Sequence, residues 1–332
     1  LSLLAYFNSV YMQADTYQLR GATNSAVPTN ARTSQFYYTQ NVWGGELQMH
    51  SNAKIGNTDN HFTYGLSFAY TTTTRPRDRW QITLATGART QNVGGETYPN
   101  KNFPDSTTIQ AGIYVQDEIS ALGGRLKITP GVRLDYYSLN PNPDRYFWNS
   151  TGAALNMIPT ASTYVSASPK PGLLYHFSDI YSGYFQYATG FRAPPYDNAN
   201  FGFTNAASFY QILPNPNLKP ETANSFEVGM RGKYADGSSW QLTGFANFYN
   251  NFLESVAVGM NGPVTLFQYK NLSNVTIWGI EARGEYRFND NWSVLGWTAF
   301  AQGTDTNTNQ PVDSVAPWAS QARIRYTSSN GI

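Results

Sequence analysis

Residues 278–288 read WGIEARGEYRF, and this stretch decides the fold. Its even positions, such as Trp278 and Ile280, are apolar or small, whereas four of its five odd positions are charged. Residues 225–234, which read SFEVGMRGKY, repeat the pattern. Side chains alternate between the two faces of a β-strand, so a period of two predicts strands with one apolar face and one polar face.

The same alternation predicts an all-β chain of about 12 long antiparallel strands. We place them at residues 3–14, 35–52, 61–74, 107–120, 124–137, 166–177, 180–189, 222–235, 238–250, 271–287, 291–302 and 317–328. Many of these segments reach about 10 residues or more, which is the length that a tilted strand needs to cross a membrane.

The connections between these strands alternate in length. Short turns are predicted near residues 53–60, 121–123, 178–179, 236–237 and 288–290. Long loops are predicted near residues 15–34, 75–106, 138–165, 190–221, 251–270 and 303–316. Short periplasmic turns and long extracellular loops are typical of a transmembrane antiparallel up-and-down β-barrel. The alternative is a large soluble sandwich or lectin-like protein, whose strands are usually shorter and whose two ends need not differ in loop length.

Composition favours the membrane barrel. Charged residues make up 13% of the 332 residues and aromatic residues 15%, whereas ordinary soluble domains carry about 25% charged residues. No apolar run approaches the roughly 18 residues of a transmembrane helix. A formal charge of +1 gives no reason to expect a nucleic-acid partner. The lack of cysteine excludes disulfides and thiolate metal sites.

Four passages between residues 102 and 222 are specific enough to suggest a family. The first is NFPDS at residues 102–106, followed by VQDEI at 115–119, and the second is GRLKITPGVRLD at 124–135. The third lies at the end of a predicted strand and comprises Phe191, Arg192, Ala193 and Pro194. The fourth precedes the next strand and begins with Asn215, Pro216, Asn217 and Leu218. The last two resemble the FRAP and NPNL boxes of TonB-dependent receptors of the haemoglobin, haem and transferrin group.

The resemblance implies a transport receptor of the bacterial outer membrane. It implies a barrel of about 22 strands with a plugged lumen. Residues 1–332 are then part of one barrel domain, and an N-terminal plug and the last barrel strands lie outside them. It also implies a ligand captured by extracellular loops and a TonB complex that acts through the plug. We expect a monomer surrounded by outer-membrane lipid, and no enzyme, because the sequence contains no recognisable catalytic motif.

The predicted ligand-binding segment is the loop at residues 190–221, which prolines stiffen at both ends. Aromatic rings on a stiff exposed loop stack on a flat apolar ligand at low entropic cost. The aromatic candidates are Tyr196, Phe201, Phe203, Phe209 and Tyr210. Arg192 is a candidate partner for a haem propionate or another carboxylate. The alternative, which we favour, is that Arg192 and Glu221 hold the base of the loop against the barrel wall.

Haem or iron from haemoproteins is the first cargo that the resemblance implies, carried as a transported ligand and not as a built-in cofactor. Haem receptors of this group commonly place an iron-binding histidine between the two boxes, and none stands there. His50, His61 and His176 are predicted near short periplasmic turns and are interpreted as structural. The resemblance also extends to haem receptors that use a loop tyrosine, which makes Tyr210 the preferred iron ligand and Tyr196 the second candidate.

Two other functions stay open on the sequence. The missing histidine favours a receptor for a ferric siderophore or another metal chelate, with the same architecture. A passive porin or a membrane-anchored barrel enzyme is a more distant alternative. Separately, Arg75, Arg77 and Arg79 cluster where a strand meets a long loop. They predict either a patch that attracts an anion or a solvated barrel rim.

Overall fold

The computed structural model describes residues 1–21, 27–150, 158–205, 208–313 and 315–328. Its strands are β1 (Ser2–Gly21), β2 (Pro28–Ile55), β3 (Thr58–Thr74), β4 (Pro76–Thr83), β5 (Arg89–Thr90), β6 (Asn92–Val93), β7 (Glu96–Thr97), β8 (Asn100–Lys101), β9 (Asp105–Ala121), β10 (Leu126–Thr129), β11 (Gly131–Asn142), β12 (Ser162–Pro169), β13 (Gly172–His176), β14 (Tyr181–Arg192), β15 (Phe203–Asn205), β16 (Tyr210–Leu213), β17 (Glu221–Lys233), β18 (Ser239–Asn261), β19 (Val264–Arg287), β20 (Trp292–Asp305), β21 (Gln310–Pro311) and β22 (Trp318–Tyr326). The helices are a 3-10 turn at Leu122–Gly124, α1 (Arg145–Trp148) and α2 (Tyr196–Ala199).

The long strands form one antiparallel wall in which each strand pairs with the next in chain order. The wall order is β1, β2, β3, β9, β10 with β11, β12 with β13, β14, β17, β18, β19, β20 and β22. β10 and β11 act as one wall strand interrupted at Pro130, and β12 and β13 as one interrupted at Lys170 and Pro171, because proline has no N–H to donate to the ladder. The 12 predicted strands and the all-β barrel topology are therefore confirmed.

The predicted difference in connection length between the two ends of the wall is also confirmed, with two corrections. The five predicted short turns join their strands in a few residues at one end. At the other end, the predicted loops at 15–34 and 251–270 are wrong, because the strands continue through most of both segments. β18 and β19 stay paired out to Asn261 and Val264. The turn there contains Asn261-Gly262, with Gly262 at φ 56°, which is a strong hairpin signal that the sequence already carried.

The outward face of the wall is apolar and exposed. Val228 on β17 is 60% exposed, Leu242 on β18 is 49% exposed and Ile280 on β19 is 51% exposed. The register places Leu242 opposite Met230 and Ala282, so these side chains share one face across three strands. Such a band fits contact with lipid hydrocarbon. No helix in the described part of the chain is long and apolar enough to cross a membrane.

The inward face of the wall carries a polar network. The Tyr184 hydroxyl donates to Glu227 Oε1 at 2.8 Å and accepts from Gln241 Nε2 at 2.8 Å. Arg283 Nη2 donates to Gln241 Oε1 at 2.6 Å. The Tyr184 ring lies against Gly229, where a Cβ atom would stand 2.5 Å from the ring. Glycine is therefore needed at that position for the tyrosine to lie across the inner wall.

Candidate functional site at the extracellular end

The base of the loop at residues 190–221, named here the FRAP–NPNL loop, is closed by an ion pair. Arg192 and Glu221 stand opposite each other in the β14–β17 register, and Arg192 Nη1 lies 3.0 Å from Glu221 Oε2. The Glu221 side chain is 8% exposed, whereas that of Arg192 is 59% exposed. Glu221 Oε1 also accepts from the backbone N–H of Leu253 at 2.5 Å. This is the geometry of a loop held to the wall, as the favoured interpretation of the pair requires.

The other FRAP residues are packed as well. Pro194 is fully buried, and Ala193 is half-buried. The Phe191 ring meets the Tyr164 ring edge-on, with centroids 6.4 Å apart. The Tyr164 hydroxyl in turn donates to the backbone carbonyl of Leu218 at 3.1 Å, so the FRAP box and the NPNL box are bridged by one tyrosine of the wall.

The NPNL box fastens the return of the loop to the long β18–β19 hairpin. Asn215 Nδ2 donates to the Tyr269 carbonyl at 2.9 Å, and Asn215 Oδ1 accepts from the backbone N–H of Asn217 at 3.1 Å. Leu218 is buried in a cluster with Ala199 and Leu253. Asn217 is exposed, as is Pro216. The box therefore acts mainly as a structural clasp among these neighbours.

The loop aromatics do not stand free, because they join a continuous set of ring contacts. This set, named here the aromatic ladder, comprises Phe103, Tyr196, Phe201, Phe203, Tyr210 and Phe267. Its closest contact is that of Phe103 with Tyr196, at 5.1 Å between centroids. The ladder joins three loops, since Phe103 ends the loop after β4 and Phe267 lies on the hairpin. Phe103 is buried, and the other five rings are partly exposed at the end of the wall where the loops lie.

The two tyrosines proposed as iron ligands have different surroundings. Burial, followed by the charge of Asp197, raises the pKa of Tyr196 to about 12. The Tyr196 hydroxyl is therefore hard to ionise near neutral pH. Tyr210 lies between Phe203 and Phe267, and its hydroxyl makes no hydrogen bond to the described residues. Of the two, Tyr210 is therefore the freer to bind a ligand.

Phe209 differs from the rest of the loop aromatics. Its side chain is 55% exposed, and its backbone has a positive φ of 52°, a conformation that is unusual for a bulky residue. The Phe209 carbonyl accepts from the backbone N–H of Thr265 at 2.8 Å. The adjoining strand β16 pairs in parallel with β19. The loop is thus fixed to the hairpin beside an exposed ring.

The three arginines at the start of β4, Arg75, Arg77 and Arg79, have separate roles. Arg77 is buried, and its guanidinium contacts Glu96 Oε1 at 2.5 Å and Asn100 Oδ1 at 2.7 Å. It is neither a free anion-attracting charge nor part of a solvated rim, so both predictions are wrong for this residue. Arg75 is exposed and lies over the Phe103 ring at 5.3 Å. Arg79 is half-buried and donates to Ser34 Oγ at 3.0 Å.

The histidines lie at the opposite end of the wall, as predicted. The His50 and His61 rings stack with centroids 5.4 Å apart, near the short turn between β2 and β3. His176 ends β13, opposite Ser182 at the start of β14. None of the three is near the aromatic ladder. Among the described residues, no group of three or more histidine, aspartate or glutamate side chains is arranged to hold a metal ion.

Sequence patterns missed several residues that build this end of the molecule. Phe103, Phe267, Tyr98 and Glu96 lie in segments that were treated as undifferentiated loop. Glu96 pairs with an arginine 19 residues earlier, and the Tyr98 hydroxyl donates to Glu96 Oε2. A local pattern contains no signal for such pairs. The resemblance did single out residues 102–106, and Phe103 is the first rung of the ladder.

Comparison with known proteins agrees with this architecture. The TonB dependent receptor-like, beta-barrel family matches residues 2–331. Among curated proteins, the chain is 24% identical over 233 residues to hemoglobin-haptoglobin utilization protein B of Neisseria meningitidis serogroup C, covering 62% of this chain and 28% of that protein. It is 27% identical over 259 residues to the hemin receptor of Yersinia enterocolitica, covering 68% and 34%. The chain thus spans about a third or less of these relatives.

Solved structures show the same fold at low identity. The copper transporter OprC superposes with a TM-score of 0.69 at 16% identity, covering 98% of this chain and 46% of that chain. The hemophore receptor HasR of Serratia marcescens superposes with a TM-score of 0.67 at 14% identity, covering 98% and 57%. Such barrels are proteins of the bacterial outer membrane. The chain therefore belongs to the TonB-dependent receptor β-barrel family.

Proposed function

We propose that this chain forms part of the barrel wall of a receptor that imports haem, or iron from haemoproteins, across the outer membrane. The observation that carries the proposal is the aromatic ladder, which places six rings from three loops at the extracellular end. Five of the six rings are partly exposed, and flat rings of this kind suit a flat apolar ligand such as a porphyrin. The curated relatives named for haemoglobin and hemin support this class of cargo.

Tyr210 is the proposed iron ligand, and Phe209 the proposed stacking partner beside it. Tyr210 is held on the ladder by Phe203 and Phe267, which fixes the ring without engaging its hydroxyl. Tyr196, Phe201 and Phe203 are the rings of the same loop that connect Tyr210 with Phe103. Arg192 belongs in this proposal to the base of the loop, because its guanidinium is paired with Glu221.

Transport needs parts that lie outside residues 1–332. In the proposed mechanism, a plug fills the lumen against the polar inner face, and the TonB complex pulls on it. The barrel itself then contributes binding and orientation and no covalent chemistry. We expect it to work as a monomer within outer-membrane lipid, with haem or a chelate as cargo and no resident cofactor.

The test is a hemin titration of the full-length receptor, plug included, followed at the Soret band for wild type and Tyr210→Phe. A saturable shift in wild type that is altered in shape and weakened in Tyr210→Phe supports haem import with tyrosinate ligation. Tyr196→Phe is the matched control, and it should leave the spectrum unchanged because burial makes the Tyr196 hydroxyl hard to ionise. A receptor with no saturable shift would remove haem from the proposal.

A ferric-siderophore or other metal-chelate receptor is the second candidate. One observation favours it: residues 190–221 contain no histidine. A competition experiment separates the two candidates. If a ferric chelate does not displace hemin from the hemin-loaded receptor, haem remains the proposed cargo. A chelate that binds with saturation where hemin does not would make the second candidate the better one.

A further inference from the structure

Three arginines form a row on one face of the sheet near its extracellular end. Arg20 lies on β1, Arg32 on β2 and Arg79 on β4. In the registers Arg20 stands opposite Asn30, Arg32 opposite Gln18 and Gln81, and Arg79 opposite Ser34. Each arginine is thus a diagonal neighbour of the next, a separation of roughly 7–8 Å that long side chains readily span. We name this set the arginine row.

The row belongs to the inner face of the wall. β2 pairs with β1 and β3 over residues 30–55 without a bulge, so its even-numbered residues share one side. Arg32 is on the same side as Glu46, whose Oε1 accepts from the Tyr114 hydroxyl in the inner polar network. Tyr98 covers part of the row, with its ring 5.0 Å from the Arg79 guanidinium. A molecule entering through the loops would meet this face.

No salt bridge among the described residues involves Arg20, Arg32 or Arg79. Arg77, Arg133 and Arg192 each form a salt bridge with a carboxylate. Arg32 and Arg79 instead bond neutral partners, through Arg32 Nη2 to Gln81 Oε1 at 3.0 Å and Arg79 Nε to Ser34 Oγ at 3.0 Å. Arg32 Nε is buried and has no hydrogen-bond partner. A buried donor left without an acceptor is destabilising, so it marks a place where an acceptor is missing.

The electrostatics agree with that geometry. Burial, then the charges of Arg20 and Arg79, hold the pKa of Arg32 below its ordinary value. Tyr98 provides no neutralising charge near neutral pH, because burial raises its pKa to about 12 despite the nearby Arg77. Clustered positive charges repel one another, and an anion placed between them relieves the repulsion.

We propose that the arginine row is an oxyanion-binding site, and that it takes the carboxylate groups of the imported ligand. Guanidinium groups bind carboxylates through paired, charge-assisted hydrogen bonds. The row continues into the aromatic ladder through Arg77, which contacts both Tyr98 and Phe203 at 5.5 and 5.8 Å. A flat ligand with carboxylates on one edge can therefore lie on the ladder with its charged edge at the row. The carboxylate source rests on the proposed function, whereas the oxyanion site does not.

The experiment uses the full-length receptor purified free of lipopolysaccharide, in wild type, Arg32→Gln, Arg79→Gln and Arg89→Gln. Arg89 is the control, because it is an exposed arginine on the neighbouring β5. Each protein is titrated with hemin and with hemin dimethyl ester, in which both carboxylates are neutral. We expect Arg32→Gln and Arg79→Gln to weaken hemin binding roughly tenfold or more, in line with loss of a charge-assisted bond. Binding of the ester should be the same in all four proteins.

The outcomes separate this proposal from the proposed function. Equal hemin affinity in all four proteins would overturn the proposal that the arginine row binds carboxylates, and it would not affect the proposal of haem import. If hemin does not bind at all, calorimetry with citrate decides: binding in wild type that is lost in Arg32→Gln supports the oxyanion site without haem, and no difference overturns it. If the two variants instead bind added lipopolysaccharide more weakly than wild type while hemin affinity is unchanged, the row serves lipid phosphates and the carboxylate assignment is wrong. A heat-modifiability gel confirms that each variant has folded.

Discussion

The wall and the extracellular loop layer are held together in different ways. The wall is a ladder of backbone hydrogen bonds between strands in simple register, with one apolar and one polar face. The loop layer depends on individual side chains, such as the buried Arg77–Glu96 pair and the Asn215 clasp. A substitution in the wall acts through the face on which it lies, whereas a substitution in the loop layer acts through its particular partner.

The largest effect that separates these two regions should come from Arg77→Met. Removing one partner of a buried ion pair typically lowers stability by about 3–5 kcal/mol, because the buried charge that remains has lost that partner. The variant removes the guanidinium that donates to Glu96 Oε1, while the Tyr98 hydroxyl still donates to Glu96 Oε2. We expect the free energy of opening of residues 89–104, measured by hydrogen exchange, to fall by that amount. Exchange within β18 and β19 should not change.

The matched control for that experiment is the double variant Arg77→Met with Glu96→Leu. Replacing both charges by apolar groups of similar volume is often neutral or stabilising. Most of the lost protection should therefore return. If the double variant opens as easily as the single one, the pair is not what holds this loop.

The next effect tests the two faces of the wall. Ile280→Arg places a charge on the outward face, where we expect a loss of about 2–4 kcal/mol if the residue lies at the bilayer midplane. Glu281→Arg, one residue along and facing the polar interior, should lose much less. The measurement is the free energy of unfolding in a lipid-refolding assay. Equal losses for both variants would contradict the inside–outside assignment.

A smaller effect concerns the NPNL clasp. Asn215→Ala removes the bonds to the Tyr269 carbonyl and to the Asn217 N–H, and a half-buried group left unpaired costs about 1–3 kcal/mol. We expect faster proteolytic nicking within residues 201–213, with the stability of the wall unchanged. Asn217→Ala is the control, because that side chain is exposed. Equal nicking in the two variants would mean that Asn215 is not the clasp.

The same contrast explains what the sequence could predict. Alternation and loop lengths predicted 12 wall strands and their two faces, because both depend only on the period of the pattern. These two patterns did not predict the hairpin at residues 251–270, because polar and apolar residues no longer alternate strictly in this segment. The Asn261-Gly262 turn was the available signal there.

Within the candidate site, the sequence predicted the aromatic composition of the FRAP–NPNL loop but not its contacts. Phe201 and Phe203 were expected to face a ligand, and they pack into a ladder with Phe103 from another loop. The arginine row was not anticipated, because Arg20, Arg32 and Arg79 come from three strands and meet only through the register. Contacts of this kind depend on pairing between distant segments.

The smallest predicted effect distinguishes the two partners at the base of the FRAP–NPNL loop. Arg192→Gln should lower the free energy of unfolding by no more than about 1 kcal/mol, because an exposed ion pair contributes little. Glu221→Gln should lower it more, since Glu221 is nearly buried and also accepts the Leu253 N–H that anchors the hairpin. Urea titration of both variants in detergent measures the difference. A larger loss for Arg192→Gln would show that the arginine holds more than Glu221, and a loss of hemin affinity in that variant alone would return Arg192 to the ligand site.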